Sequence, residues 1–316
     1  MKTPRTRSVR DKCALLLELN PWTPGDAGGR TESETLELLI RRHSAESKQF
    51  AQARSAATRA RLAGGTKAWN DWAAAMVGLE AEVEHLPSAL EFWRLLARVD
   101  LAGEIFSKKN SDFSGLLFPG PVDFSRASFP VDAWFNAAHF NDTADFSGTT
   151  FDQDGFFEQA EFSKTARFDR ARWSGDAQFR KSKFHRDATF RDARFDGHAW
   201  FIGSSFGGAL SFAASQFAGE AGLGQCDYRG PSDFSLVRFR DHAGFGEAHF
   251  FSAARFDSAR FEHLAWFQNA RFESHVSFNR ARFVGMVNFK SIILPEEPDV
   301  RDRVANLEKR LANRGA

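Results

Sequence analysis

Residues 166–201 read ARFDRARWSGDAQFRKSKFHRDATFRDARFDGHAWF. A large aromatic residue recurs here at alternating intervals of five and six, namely Phe168, Trp173, Phe179, Phe184, Phe190, Phe195 and Phe201. The same spacing runs from Phe113 to Leu294, and 30 of its 34 positions are Phe, the exceptions being Trp173, Leu223, Tyr228 and Leu294. Two residues before these positions, 27 of 34 residues are Ala, Ser, Gly, Thr or Cys. The chain therefore repeats a unit that consists of one interval of five and one interval of six.

This spacing predicts short strands rather than helices. Intervals of five and six do not keep to one face of a helix with 3.6 residues per turn, and Gly and Asp are scattered through the units. In a strand, side chains alternate between the two faces, so a large and a small residue separated by two both point inward. We expect Phe to fill the interior of a parallel β-solenoid and polar residues to cover its outside.

The units Ala166–Arg167–Phe168–Asp169–Arg170 and Ala193–Arg194–Phe195–Asp196–Gly197 resemble the repeat of the pentapeptide-repeat family, specifically its Phe-rich branch. The resemblance covers residues 113–294 and implies a right-handed quadrilateral parallel β-helix with four faces per coil. The sixth residue in alternate intervals departs from the family pattern and enlarges two corners of the expected coil. The resemblance is specific for fold and nearly silent on function.

Features on the outside of the repeat favour a coil made of two units over a coil made of one. The outward position just before Phe carries two sets of residues separated by multiples of 22, which is the length of two units. The aromatic set comprises Trp134, Phe156, Trp200 and Trp266, and the basic set comprises Arg172, Arg194, Arg238, Arg260 and Arg282. We therefore predict a mainly β fold with four faces and about eight coils, about 40 Å long at ~4.8 Å per coil.

The segments on either side of the repeat are predicted to be helical. In residues 1–112 we predict helices over 32–61, 67–86 and 88–106, with Ser88 as a cap and two apolar stripes as core. We assign this region as a helical cap on the solenoid, which spans 113–294. Residues 295–316 predict a C-terminal helix with its apolar stripe at Val300, Val304, Leu307 and Leu311, serving either as a cap or as a dimerisation element.

Composition limits the classes of function. The chain has 316 residues, and its 42 basic and 41 acidic residues leave a net charge of +1, which argues against a bulk polyanion binder. Cys13 and Cys226 form no disulfide framework and match no metal-ligand spacing, which favours a reducing compartment. No stretch is typical of a signal peptide or a membrane-spanning helix. We predict a soluble cytoplasmic protein without a membrane partner.

The repeat carries no nucleophile motif, phosphate loop or dinucleotide fingerprint, so we predict a protein that is not an enzyme and has no cofactor. One corner column aligns acidic and imidazole side chains at the same position of successive coils: Asp132, Asp154, Asp176, His198, Glu220 and His242. A solvated corner is the main interpretation of this column. A metal site among Asp176, His198, Glu220 and His242 is the alternative.

The leading functional hypothesis is a non-enzymatic interaction scaffold for a protein partner, with the aromatic set as the candidate surface. Some pentapeptide-repeat proteins resemble B-form DNA and protect type II topoisomerases, which is the second hypothesis. It requires a strongly anionic dimer, whereas the repeat has 20 basic and 21 acidic residues. The third hypothesis is anion or nucleic-acid binding through the Arg set, which the balanced charge makes the weaker expectation.

Overall fold

The computed structural model describes residues 16, 18–20, 48–107 and 111–296. These residues form three complete helices and 33 two-residue strands. The helices are α1 (Lys48–Ala63), α2 (Gly65–Val83) and α3 (Pro87–Ala97). The chain divides into two compact units. The first contains the three helices together with the segments Val99–Leu101, Leu116–Asp123 and Phe140–Asp142. The second contains Ala102–Gly115, Phe124–His139 and the chain from Thr143 onward.

The strands form four parallel sheets. Sheet 1 has nine strands: Val99–Asp100, Val122–Asp123, Ala144–Asp145, Ala166–Arg167, Ala188–Thr189, Leu210–Ser211, Ser232–Asp233, Ala254–Arg255 and Val276–Ser277. Sheet 2 has eight: Ser128–Phe129, Thr150–Phe151, Arg172–Trp173, Arg194–Phe195, Gln216–Phe217, Arg238–Phe239, Arg260–Phe261 and Arg282–Phe283. Sheet 3 has eight: Ala133–Trp134, Gly155–Phe156, Ala177–Gln178, Ala199–Trp200, Ala221–Gly222, Ala243–Gly244, Ala265–Trp266 and Val287–Asn288. Sheet 4 has eight: Leu117–Phe118, His139–Phe140, Glu161–Phe162, Lys183–Phe184, Ser205–Phe206, Asp227–Tyr228, His249–Phe250 and Arg271–Phe272.

The strand register confirms that one coil contains two units of the repeat. Glu161 pairs with Lys183, and Phe162 pairs with Phe184, so each residue lies beside its equivalent two units further along the chain. Successive strands along the chain fall in different sheets, and each sheet gains one strand per coil. The predicted mainly β parallel solenoid of about eight coils is therefore confirmed.

Aromatic rings fill the interior of the coils. Of the 34 repeat positions, all but Phe278 and Leu294 are buried. Rings one coil apart stack in parallel, as Phe168 and Phe190 do with centroids 4.8 Å apart and planes 3° apart. Rings of neighbouring repeat positions meet edge to face, as Phe168 and Phe179 do at 5.4 Å and 89°. Both arrangements are favourable for aromatic pairs, so the repeated Phe supplies geometric specificity as well as buried apolar area.

The two kinds of interval turn the chain in different ways. In most five-residue intervals a tight turn forms, for example where Ala127 N donates to Phe124 O at 3.0 Å. The residue two after the first aromatic has a positive φ, such as Arg126 at 57° and Leu236 at 62°. Glycine occupies this position in only three of these intervals, as Gly115, Gly148 and Gly203. Most coils therefore hold an L-residue in the left-handed region, where a β-carbon is unfavourable.

Replacing Leu236 by Gly should raise the free energy of unfolding by up to about 1 kcal/mol, because glycine removes the left-handed penalty and the Leu236 side chain is exposed. Leu236→Val should lower it by about 1 kcal/mol, since a β-branched residue tolerates positive φ poorly. Gly203→Ala is the reciprocal control, because its new β-carbon would meet only Lys181 Cγ, at 3.6 Å. Denaturant unfolding followed by circular dichroism measures all three, and a less stable Leu236→Gly protein would contradict this account of the turn.

The predicted helices are found in the first unit, with two corrections. The helix predicted over 67–86 is α2, and its stripe Trp69, Trp72, Met76, Leu79 and Val83 is buried as expected. The helix predicted over 88–106 is too long. It begins at Pro87, with Leu86 as cap instead of Ser88, and it ends at Ala97 because Val99–Asp100 joins sheet 1. Proline suits the first helical position because its missing N–H would have no partner there.

Helix α2 supplies partners to the first strand of sheet 4. Trp69 Nε1 donates to Leu117 O at 2.7 Å, and Leu117 N donates to Asn70 Oδ1 at 2.9 Å. These side chains satisfy backbone groups that an edge strand otherwise leaves open to another chain.

The domain boundaries at 112 and 295 stay predictions. Most of the first predicted helix, 32–61, and the C-terminal helix lie outside the described residues. Among the described helices, none has the length and apolar character required to cross a bilayer.

Candidate interaction surface

The outward column of sheet 3 carries the predicted aromatic set. It consists of the second residue of each strand: Trp134, Phe156, Gln178, Trp200, Gly222, Gly244, Trp266 and Asn288. Trp134 is 37% exposed and Trp266 is 44% exposed, whereas Phe156 and Trp200 are half-buried. The structure thus places all four aromatic residues in one column but in different surroundings.

At one end of the column two rings cover each other. Trp134 and Phe156 stack with centroids 4.0 Å apart and planes 11° apart. Each ring therefore hides one face of the other, as expected for neighbouring residues on adjacent coils. This pair forms a flat ridge and leaves no space between its rings.

Trp200 and Trp266 are arranged differently, because two glycines lie between them in the column. A β-carbon on Gly222 would come within 2.7 Å of Trp200 Cε3, so the Trp200 ring extends over Gly222. A β-carbon on Gly244 would meet only Ala221 O, at 3.8 Å, so the space above Gly244 is open. The result is a groove of about 600 Å³ with a tryptophan at each end, which we call the Trp200–Trp266 groove.

The lining of the groove combines apolar and acidic residues. Ile202 and Leu264 add apolar surface beside the two tryptophans. Glu220, Glu247 and His242 also line the groove, and its lining residues include neither Lys nor Arg. Gln225 Nε2 donates to Glu247 Oε2 at 3.2 Å, which helps to position that carboxylate. The groove therefore combines aromatic faces with net negative charge.

Trp200 is supported from the side away from the groove. The Arg180 guanidinium lies over the Trp200 ring, with its Cζ 4.9 Å from the ring centroid. Arg180 is in turn 3.4 Å from Glu158 Oε1. The ring is thus packed on one side and contributes to the groove on the other.

The Arg set lies in the outward column of sheet 2 and is largely paired with acids. Asp196 accepts hydrogen bonds from Arg172 Nε at 3.0 Å and from Arg194 Nε at 2.6 Å. Arg238 and Arg260 share Glu262 in the same way, at 2.7 and 2.9 Å. Each carboxylate thus bridges guanidinium groups on neighbouring coils and reduces the repulsion between them.

The neighbouring guanidinium groups lower the pKa values of these bridging acids. Partial burial raises the pKa of Asp196, but the hydrogen bonds and charges of Arg194 and Arg172 outweigh it and leave the pKa below its usual value. The same balance, with Arg238 and Arg260 as partners, lowers the pKa of Glu262. On sheet 4, the hydrogen bond from His185 is the main cause of a lowered pKa at Glu161. All three carboxylates stay charged through the neutral range.

The side chains of the corner column, which was considered above as a metal site, form hydrogen bonds mainly with backbone amides. Asp154 Oδ1 accepts from Asp176 N at 2.7 Å, and Asp176 Oδ1 accepts from His198 N at 2.8 Å. His198 Nδ1 continues the series by accepting from Glu220 N at 3.1 Å. These side chains thus bind the amide of the next coil instead of facing one another. Backbone contacts of this kind are what a solvated corner requires, and zinc binding by Asp176, His198, Glu220 and His242 stays an untested prediction.

Cys226 and Tyr228 place two titratable side chains inside the solenoid. Cys226 Sγ lies 3.0 Å from Phe201 O, and burial raises the pKa of its thiol to about 12. Tyr228 donates its hydroxyl to Leu223 O at 2.9 Å, and burial raises the pKa of this group well above its usual value. Neither group is poised to ionise near neutral pH.

The family comparison agrees with the coil geometry. The family model for pentapeptide repeats, built from nine copies of the repeat, matches residues 113–161, 157–205 and 234–282. This chain is a pentapeptide-repeat protein. No curated protein and no solved structure matches the chain. The family identifies the β-solenoid fold, so the specific function of this pentapeptide-repeat protein has to be inferred from its own surface.

Sequence reasoning identified Trp200 and Trp266 but missed the groove between them. Gly222 and Gly244 occupy the same outward column as the tryptophans, on the two coils that separate them, so the spacing contained a usable signal. From the sequence, Glu220 was considered only as a member of the corner column, and Glu247 was not considered as a binding residue. A search for small residues in an otherwise aromatic column would have found the groove.

Proposed function

We propose that this pentapeptide-repeat protein is a non-enzymatic interaction scaffold that binds a basic side chain of a protein partner in the Trp200–Trp266 groove. The observation that carries the proposal is the pair of tryptophan rings on either side of Gly222 and Gly244. The proposal takes the solenoid as the right-handed quadrilateral form that the family resemblance implies. In that form, sheet 3 is one flat side that a partner can approach.

The chemistry of the groove favours an Arg or Lys side chain. Tryptophan faces attract cations, and the attraction is stronger where water is displaced. Glu220 and Glu247 add opposite charge to the lining of the groove. The two tryptophans lie three coils apart, so their backbones are separated by about 14 Å at ~4.8 Å per coil. This distance leaves room for one long side chain between rings that lean over the groove.

The two alternative functions have less support. A DNA mimic for a type II topoisomerase requires an anionic surface along the solenoid, yet sheet 2 presents the Arg set in its outward column. Anion or nucleic-acid binding through that set would compete with the bridging carboxylates Asp196 and Glu262. A homodimer through residues 295–316 stays a prediction and is compatible with the scaffold function.

Selection from a library of random short peptides tests the proposal. Peptides are selected on the intact protein after depletion on the Trp200→Ser/Trp266→Ser variant, so that binders to other surfaces are removed. We expect the recovered peptides to share an Arg or Lys and to lose at least about 100-fold in affinity on the depleting variant, since buried aromatic anchors dominate such interfaces.

The Trp134→Ser/Phe156→Ser variant is the matched control, because it removes two aromatic residues from the same column outside the groove. Its affinity for the recovered peptides should equal that of the unmodified protein. Recovered peptides that carry apolar anchors without a basic residue would overturn the assignment of the occupant. Failure to recover any peptide that distinguishes the two proteins would overturn the groove as the binding site.

A further inference from the structure

The corner between sheets 2 and 3 brings together three side chains that are typical zinc ligands. Asp241 and His242 are adjacent in sequence, and His263 occupies in the next coil the position that Asp241 has in its own. One ligand atom from each of the three residues lies within 4.8 Å of the other two. Two imidazoles and one carboxylate form a common protein ligand set for zinc.

The backbone holds these groups near one another without covering them. The rings of His242 and His263 have centroids 5.8 Å apart, and His242 Nδ1 is 3.7 Å from Asp241 Oδ1. His242 N also donates to Asp241 Oδ1 at 2.8 Å, which fixes the orientation of the carboxylate. In the column that contains Asp241 and His263, the residues one coil before and one coil after are Gly219 and Gly285. His242 and His263 are exposed and Asp241 is half-buried, so solvent reaches the group.

We propose that Asp241, His242 and His263 bind one zinc-class divalent ion, with solvent completing its coordination. Tetrahedral zinc with ligands at ~2.0–2.1 Å separates its ligand atoms by about 3.4 Å, so the present spacing closes by small rotations of exposed side chains. The ligands come from two hydrogen-bonded coils whose separation is set by the strand pairing. This site differs from the corner column considered above, because Asp241 and His263 lie outside that column and are directed toward His242. His242 also lines the Trp200–Trp266 groove, so the zinc titration is carried out without peptide and the peptide measurements without zinc. The zinc proposal does not rest on the proposed function, since the ion requires no protein partner.

The test is calorimetric titration of tag-free protein with zinc chloride. We expect one ion per chain with micromolar or tighter affinity, and at least about a tenfold loss of affinity in each of His242→Ala and His263→Ala. Titration with cobalt should give the visible absorption of a tetrahedral complex, which is a signature that a nonspecific surface ion does not produce.

A second group of the same residue types provides the matched control. His139 and His185 contact different oxygens of Glu161, at 3.7 and 2.6 Å, so the carboxylate separates the two imidazoles. His139→Ala should leave zinc affinity unchanged. Affinity weaker than about 100 µM in the unmodified protein, or equal affinity in His263→Ala and His139→Ala, would overturn the proposal.

Discussion

Gly155→Ala is expected to destabilise the solenoid by about 1–3 kcal/mol, the usual cost of adding a methyl group to a filled core. Gly155 is the only glycine at the inward position of the sheet 3 strands, and Trp173 is the only tryptophan in the inward column of sheet 2. A β-carbon on Gly155 would lie 2.8 Å from Trp173 Nε1 and 3.1 Å from Trp173 Cδ1. The missing methyl group therefore accommodates the larger ring.

A second variant, Trp173→Phe, tests whether the contact with Trp173 causes the loss of stability in Gly155→Ala. Trp173→Phe restores the ordinary aromatic residue and also removes a buried indole N–H that has no hydrogen-bond partner. The double variant Gly155→Ala/Trp173→Phe should recover most of the stability lost in Gly155→Ala, with a coupling free energy of at least about 1 kcal/mol.

Denaturant unfolding followed by far-ultraviolet circular dichroism measures the effect, because fluorescence changes when Trp173 is removed. Gly244→Ala is the control, since it adds the same methyl group in sheet 3 where the nearest atom is 3.8 Å away. Its stability should be close to that of the unmodified protein. Additive effects of Gly155→Ala and Trp173→Phe would show that the two residues do not compensate for each other.

Gly244→Phe is expected to abolish peptide binding in the groove, with a loss of at least about 100-fold in affinity. The open space above Gly244 can accept a ring, and the chain already carries Phe156 at the equivalent position of another coil. The new ring would extend the aromatic column and fill the space between Trp200 and Trp266. Both tryptophans stay in place, so the loss would be caused by occupation of the groove and not by removal of an anchor.

Ser205→Phe is the matched control for this variant, because it adds the same side chain at an outward position of sheet 4. Calorimetry with a peptide recovered by selection measures both proteins. Ser205→Phe should bind like the unmodified protein. A Gly244→Phe protein that is folded and still binds the peptide at full strength would place the binding site elsewhere on the solenoid.

The repetition of Phe made the solenoid predictable from sequence. Alternating intervals of five and six determine which residues point inward. The aromatic set that begins at Trp134 and the basic set that begins at Arg172 recur at multiples of 22 residues, which reveals that a coil contains two units. These features follow from strand geometry, where alternation is strict and each coil repeats the previous one. Prediction was weaker outside the repeat, where α3 ends at Ala97 because tertiary pairing takes Val99 into sheet 1.

The candidate sites were harder to predict because they depend on differences between coils. The contact of Gly155 with Trp173 joins two sheets at a separation in sequence that is not a whole number of repeat units. The groove depends on two missing side chains, at Gly222 and Gly244, whereas the sequence argument followed the side chains that were present. The corner acids were correctly aligned, but alignment alone did not reveal that they bind backbone amides.

The central claim is that the groove binds a cation between two tryptophans. Its most direct test is the affinity of the unmodified protein for a selected arginine peptide and for the same peptide with citrulline in place of arginine. Citrulline keeps the shape of the side chain and removes its charge. The account predicts at least about a tenfold loss of affinity for the citrulline peptide, because cation–π and carboxylate attraction both disappear. Equal affinity for the two peptides would contradict it.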